Sequence, residues 1–221
     1  MRLEVALFDF DGTLVDTTEL IHQSMRHAVR EVLGRELPRE VLLANVGQPL
    51  PRQMELLDPG RAAELLEVYR EHNHTHHDDL IREFPGVEEA LRRLTESGVR
   101  LAVVTSKRRV AVEMALRLFP WLGELVEHFV TMEDTSRHKP DPEPLLRALE
   151  LLGARPGEAA YVGDSPFDVA AAKAAGIRSV AVGWGAFPEA ALRAADPDHL
   201  VPGVPEAAEL LLSLRRKKSL S

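Results

Sequence analysis

The chain has 221 residues, of which 45% are hydrophobic and 28% charged, enough to bury a core as one domain or two modest ones without covalent staples. Its formal net charge of −8 argues against a surface that neutralises nucleic-acid phosphates or lies on an anionic membrane, and points to small ligands as partners. The absence of cysteine excludes disulfides, thiolate zinc sites and a cysteine nucleophile together, so any metal must be held by oxygen or histidine.

Residues 3–8 form an apolar run that stops at Asp9. The run is too short for a secretory core or a membrane span, and it suits a buried parallel strand that delivers a loop; a cytoplasmic protein is expected. From residue 17 to residue 82 the pattern turns helical, with helices expected over 18–33, 39–43 and 59–80 and breakers at Gly34, Pro38, Gly47, Pro49 and Pro51. This stretch reads as an all-helical domain, residues 17–82, inserted into a core formed by 1–16 and 83–221. The core then alternates: helix 87–97, strand 100–105, helix 110–118, strand 125–131, helix 142–152, strand 159–162, helix 167–175 closed by Gly176, and strand 179–182. That alternation predicts an α/β fold with a Rossmann-like parallel sheet. The basic run Arg215-Arg216-Lys217-Lys218 reads as a solvated tail.

Chemistry concentrates where strands end. Asp9-Phe10-Asp11-Gly12-Thr13 places two carboxylates two residues apart around a glycine turn, so that one can attack phosphorus while the other moves protons. Gly163-Asp164-Ser165-Pro166-Phe167-Asp168 adds hard oxygen ligands that, with Asp9, suit a magnesium site. Asp164 is the better ligand of that pair; Asp168, in the first helical turn, suits either orienting a metal-bound water or complementing the helix dipole. Thr105-Ser106-Lys107 opens a helix where hydroxyl and N–H groups can hold phosphate oxygens, although such residues are often plain N-caps. Lys139, fixed among prolines in His138-Lys139-Pro140-Asp141-Pro142-Glu143-Pro144, can neutralise both a nucleophile and a phosphoryl group.

These segments, in this order, resemble the motifs of the haloacid-dehalogenase-like superfamily over nearly the whole chain. The resemblance implies Asp9 as nucleophile, Asp11 as general acid/base, Thr105 as phosphate ligand and Lys139 as the catalytic lysine. It also implies Mg²⁺ held by the Asp9 side chain, the Asp11 backbone carbonyl and Asp164, with Asp168 completing the metal end, and a helical cap that closes over the site. Asp11 argues against dehalogenase chemistry, and the first lysine being Lys107, outside the insertion, argues against a Schiff-base phosphonatase. Within the insertion, Val46-Gly47-Gln48-Pro49-Leu50 and Tyr69-Arg70-Glu71-His72-Asn73-His74-Thr75-His76-His77-Asp78-Asp79-Leu80 are similar to the superfamily's bacterial inorganic pyrophosphatases and, less closely, to its phosphoglycolate phosphatases.

The expected activity is therefore Mg²⁺-dependent hydrolysis of a small phosphorylated substrate through an aspartyl-phosphate, with inorganic pyrophosphate first and phosphoglycolate, where Arg52 could bind the carboxylate, second. A sugar-phosphate mutase and a non-catalytic phosphate-binding protein are the remaining alternatives. Ser106 and His77 join Thr105 and Arg52 as expected substrate contacts, and His74 with His77 could reach the substrate on closure. His72 and His76, four apart, read as a polar helix end more readily than as a metal site. A monomer or small homo-oligomer is expected.

Overall fold

In the computed structural model of the chain, which describes residues 2–216, the first apolar run becomes β1 (Val5–Phe8), buried along its length. The chain continues through β2 (Val15–Asp16), α1 (Thr18–Leu33), α2 (Arg39–Leu43), α3 (Leu50–Leu57), α4 (Ala62–Leu80) and β3 (Arg82–Glu83). It then runs through α5 (Val87–Glu96), β4 (Arg100–Val104), α6 (Arg109–Leu118), α7 (Pro120–Leu125) and β5 (His128–Val130). Last come α8 (Glu143–Leu152), β6 (Ala159–Gly163), α9 (Pro166–Ala175), β7 (Arg178–Val182), α10 (Glu189–Ala194), β8 (His199–Val201) and α11 (Val204–Arg216).

Six strands pair in the order β5-β4-β1-β6-β7-β8, every pair parallel. Alternate side chains serve two cores. Ala6, Phe8, Leu101, Val103 and Val162 pack with Leu91 and Leu94 of α5, Val112 of α6 and Leu211 of α11. Val5, Leu7, Ala102, Val104 and Tyr161 pack with Leu145 and Leu149 of α8 and Ala171 and Ala172 of α9. Because helices cover both faces, these strands read as unbroken apolar runs. The order of strands reverses at β1, whose neighbours are β4 and β6, and that reversal opens a crevice at their carboxyl ends where ligands enter such sheets.

The segment between β2 and β3 is wholly helical and has its own core, with Ile21, Met25 and Val29 of α1 meeting Leu65 and Tyr69 of α4 and Met54 of α3. α1 stops at Gly34, which takes the left-handed conformation that ends helices. Two short antiparallel strands, with Val15 opposite Glu83 and Asp16 opposite Arg82, carry the chain out to these helices and back. No helix among the described residues is long and apolar enough to cross a membrane.

Several expectations are corrected. Helix α3 forms where breakers were expected, because Pro51 occupies its first turn, where a missing N–H costs no hydrogen bond. The strand expected over 125–131 shrinks to β5, since Leu125 ends α7, a helix that opens at Pro120. Arg215 is not part of a solvated tail. It lies on α11 and its guanidinium donates to Glu4, to the Leu3 carbonyl (3.2 Å) and to the Ser97 carbonyl (3.2 Å), tying the last helix to the start of the sheet. Lys217 and Lys218 lie outside the described residues.

Candidate active site

The carboxyl end of β1 is shaped by local hydrogen bonding. The Asp9 N–H donates to the Val162 carbonyl (2.8 Å), extending the β1–β6 ladder by one residue, and the Phe10 carbonyl accepts from the N–H groups of Thr13, Leu14 and Val15, which curls the loop. Gly12 has φ +73, and a Cβ there would stand 2.3 Å from Asp164 Oδ2, so only glycine lets this loop approach the end of β6. Asp164 is fixed in turn by the Ala186 N–H, which donates to its Oδ2 (2.7 Å).

Lys139 is 2% exposed. Its Nζ lies 2.9 Å from Asp9 Oδ1 and donates to Asp168 Oδ1 (2.7 Å) and the Tyr161 hydroxyl (3.0 Å). The Lys139–Pro140 peptide is cis. Glu143, at the start of α8, staples this loop by accepting from the Ser136 N–H and hydroxyl and from the N–H and guanidinium of Arg137, contacts that hold its carboxyl down at about 2. Asp168 serves two neighbours. One oxygen meets Lys139 and Tyr161; the other accepts from the Ser165 N–H (3.0 Å) and hydroxyl (2.6 Å), completing a capping box at α9.

Three buried carboxylates therefore face one buried ammonium. Burial pushes Asp9 up to about 7; Lys139 opposes that rise and Asp168 adds to it. Asp164 is raised well above the usual range by burial, then by Asp168 and Asp9. Burial alone would lower Lys139, but Asp168 and Asp9 outweigh it and hold the ammonium above its ordinary value. One oxygen each of Asp9, Asp164 and Asp168 lies within 4.8 Å of the others. A surplus of buried negative charge with all-oxygen donors fits a hard divalent cation such as Mg²⁺.

Beyond this cluster a cleft of about 90 Å³ opens between the sheet and the inserted helices. Asp9, Asp11, Thr105, Ser106, Lys107 and Arg108 line it from the core; Gly47, Gln48, Tyr69, Arg70, Asn73 and His74 line it from the insertion. Thr105 is buried, its Oγ1 accepting from the Lys107 N–H (3.1 Å). The Ser106 hydroxyl donates to the Gly47 carbonyl (2.7 Å), joining core to insertion. Asp11 Oδ1 accepts from Thr17 Oγ1 (2.8 Å) and from Lys107 Nζ (2.7 Å).

The structure thus gathers Asp9, Asp11, Thr105 and Ser106 on the cleft and sets Lys139, Asp164 and Asp168 directly behind Asp9. Two expected substrate contacts are not brought there. Arg52 pairs with Glu55 (3.0 Å) on the exposed side of α3, and His77 is fully buried with Nδ1 against Asp78 (2.7 Å). Neither lines the cleft. Sequence reasoning named Lys107 and Arg70 within motifs without giving either a role at the site, and did not mark Tyr161. Lys107 adjoins Thr105-Ser106, and Arg70 shares the helical stripe of Asn73 and His74, spacings that place them on one face.

Comparison with known proteins bears on this geometry. The profile of the haloacid dehalogenase-like hydrolases matches residues 6–182. Pyrophosphatase PpaX of Bacillus cereus is 38% identical over 216 residues, covering 98% of this chain and 100% of its own. Pyrophosphatase PpaX of Halalkalibacterium halodurans is 36% identical over 211 residues, covering 96% and 98%. Among solved structures, a protein from Lactobacillus plantarum predicted to be a phosphoglycolate phosphatase superposes with a TM-score of 0.85 at 27% identity, covering 95% of this chain and 100% of that one. A predicted phosphatase from Clostridium acetobutylicum gives 0.86 at 25%, covering 96% and 100%. With a family match across the sheet and its insertion, and relatives aligned nearly end to end, the chain belongs to the haloacid dehalogenase-like hydrolases and is a phosphatase of that family.

Proposed function

We propose that the protein is a Mg²⁺-dependent inorganic pyrophosphatase that works through an aspartyl-phosphate on Asp9. The observation that carries the choice of substrate is the identity to pyrophosphatases over almost the full length of both chains, insertion included. The geometry of Asp9 and Lys139 supports the chemistry.

Pyrophosphate binds in the cleft with one phosphorus in front of Asp9. The Asp9 oxygen attacks in line; an O–P bond forms and the bridging P–O bond breaks. Asp11, reaching the cleft beside Lys107, gives a proton to the departing oxygen, and the first orthophosphate leaves. Asp11 then takes a proton from a water that attacks the phosphorus of the aspartyl-phosphate, which releases the second orthophosphate and restores Asp9 as a carboxylate and Asp11 as an acid. Lys139 stays protonated throughout, holding Asp9 and drawing charge from the transferring oxygens. Thr105, at the end of β4, anchors the same oxygens. Asp168, whose oxygens are committed to Lys139, Tyr161 and Ser165, acts by positioning Lys139. A Mg²⁺ ion held by the neighbouring carboxylates of Asp9 and Asp164, with the Asp11 carbonyl that the family resemblance adds, would offset the repulsion between an anionic nucleophile and an anionic substrate.

Phosphoglycolate hydrolysis is the second reading, favoured by the likeness to the Lactobacillus plantarum protein. The carboxylate contact expected from Arg52 lends it no weight, since that side chain is engaged by Glu55 outside the cleft. Phosphate release from pyrophosphate, 2-phosphoglycolate, sugar phosphates and nucleotides, each with and without Mg²⁺, decides. Pyrophosphate is expected to give the highest kcat/KM, with turnover lost in EDTA; a preference for 2-phosphoglycolate would replace the first reading by the second, and metal-independent release would refute both.

A further inference from the structure

We infer that Arg70 of α4, with Lys107, Arg108 and His74 around it, forms a subsite for the second, departing phosphate group of a diphosphate; the inference rests on the pyrophosphatase reading and names the residues that would distinguish a diphosphate from a monoester.

Arg70 is unusual among the described arginines in carrying a buried donor that has no partner. Arg52, Arg61, Arg92, Arg100 and Arg109 each meet a carboxylate within 4.0 Å, an ordinary arrangement for exposed arginines. The Arg70 side chain has no ion pair or hydrogen bond among the described residues, yet it lines the cleft and its Nε is buried without a partner. A buried guanidinium donor left unpaired is costly to the fold, and such groups are rare unless a ligand completes them. Its helix is held in place independently: the Asn73 amide donates to the Tyr69 hydroxyl (3.3 Å) and to Ser24 Oγ on α1 (3.4 Å), so the face that carries Arg70 is set by the packing of α4 on α1.

The surroundings match an anion of more than one charge. Arg70, His74, Lys107 and Arg108 all line this part of the cleft. Burial lowers His74, and His77, Arg108, Arg70 and Lys107 lower it further; burial and then Arg108 lower Arg70, with the Glu133 carboxylate opposing them. Cations that repel one another across an open cleft are stabilised together by one anion. Within the cluster Lys107 leans on Asp11 and Arg108 on Glu133 (3.3 Å), which leaves Arg70 as the side chain with its fork uncommitted. The phosphoryl group that is transferred already has Lys139 beside Asp9. The departing group carries at least as much charge and has none of that help, so a second positive set facing across the cleft, Arg70 with the His74 imidazole from the insertion and Lys107 and Arg108 from the core, is the complement a diphosphate needs. A carboxylate, with a single charge and two oxygens, would use only part of this set.

Isothermal titration with two probes tests the assignment: methylenediphosphonate, which cannot be hydrolysed at its bridge, and methylphosphonate, which has one phosphonate group, both with Mg²⁺. Wild type, Arg70→Ala and Arg70→Lys are compared, with thermal unfolding of each as a check on folding. Arg70→Ala is expected to weaken methylenediphosphonate by about 10-fold to 100-fold, the range for loss of a charge-assisted contact, and methylphosphonate by less than about 3-fold; Arg70→Lys should recover part of the difference. Equal weakening of both probes, no weakening of either, or wild-type binding of the diphosphonate no tighter than of the monophosphonate would overturn the subsite. Because the probes are not turned over, this result stands apart from whether the wild type releases phosphate from pyrophosphate.

Discussion

Replacing Asp9 by asparagine should stabilise the metal-free protein while ending its turnover. Asp9 rises from 3.8 to about 7 on folding, chiefly through burial. Between those values the folded chain keeps a proton that the unfolded chain releases, so stability is fullest below 3.8 and falls as pH climbs towards 7. At about 1.4 kcal/mol per unit, a rise of about three units amounts to about 4 kcal/mol lost by pH 8, and to less than about 2 kcal/mol at pH 5. Asparagine mimics the neutral acid and escapes the loss. For a chain of 221 residues, where 1 kcal/mol moves Tm by about 2–4 °C, the variant should melt roughly 8–16 °C above wild type at pH 8 in EDTA, and only a few degrees above it at pH 5. Thermal unfolding followed by circular dichroism reads both. Mg²⁺ should narrow the gap, since the ionised carboxylate is the ligand it needs. A variant that melts at or below wild type at pH 8, or by the same margin at both pH values, would refute the charge argument.

Three further substitutions separate the roles of the charged groups. Lys139→Ala leaves Asp9 and Asp168 without their shared cation; a loss of about 3–5 kcal/mol in denaturant unfolding and a fall in kcat of about 100- to 1,000-fold are expected. Asp168→Asn keeps an acceptor for Ser165 but releases the ion pair to Lys139, so kcat should fall by more than about 10-fold with little change in KM, as steady-state kinetics would record. Arg52→Ala removes only an exposed pair with Glu55; kcat/KM should stay within about twofold and stability within about 0.5 kcal/mol, and a large rise in KM would return Arg52 to the substrate site.

Much of the core was legible because its strands are buried on both faces and so appear as apolar runs that end at Asp9, Thr105 and Gly163-Asp164. Those ends are also where glycine and proline constrain the backbone, which is why the acidic pairs and Lys139 stood out. The inserted helices were legible as helices but not in their orientation. The stripe of α4 that faces the cleft is fixed by its packing on α1 through Leu65 and Tyr69, and no local pattern reports that rotation; hence Arg70 and His74 line the cleft while His77 is buried elsewhere. Lys107 acts on Asp11, 96 residues away, a contact that exists only because β1 and β4 are neighbours. Helix α3 was hidden by reading Pro51 as a breaker rather than as a first-turn residue, and Arg215 by reading a basic run as solvated when the helix under it reaches back to Glu4.

The measurement that tests the central claim most directly is acid quenching of wild type and Asp9→Asn during turnover of radiolabelled pyrophosphate with Mg²⁺, followed by mapping of protein-bound label. Label on the peptide that contains Asp9 in the wild type, with neither label nor more than about one per cent of the wild-type rate in the variant, is the predicted result. A variant that keeps a substantial share of the wild-type rate would contradict Asp9 as the nucleophile.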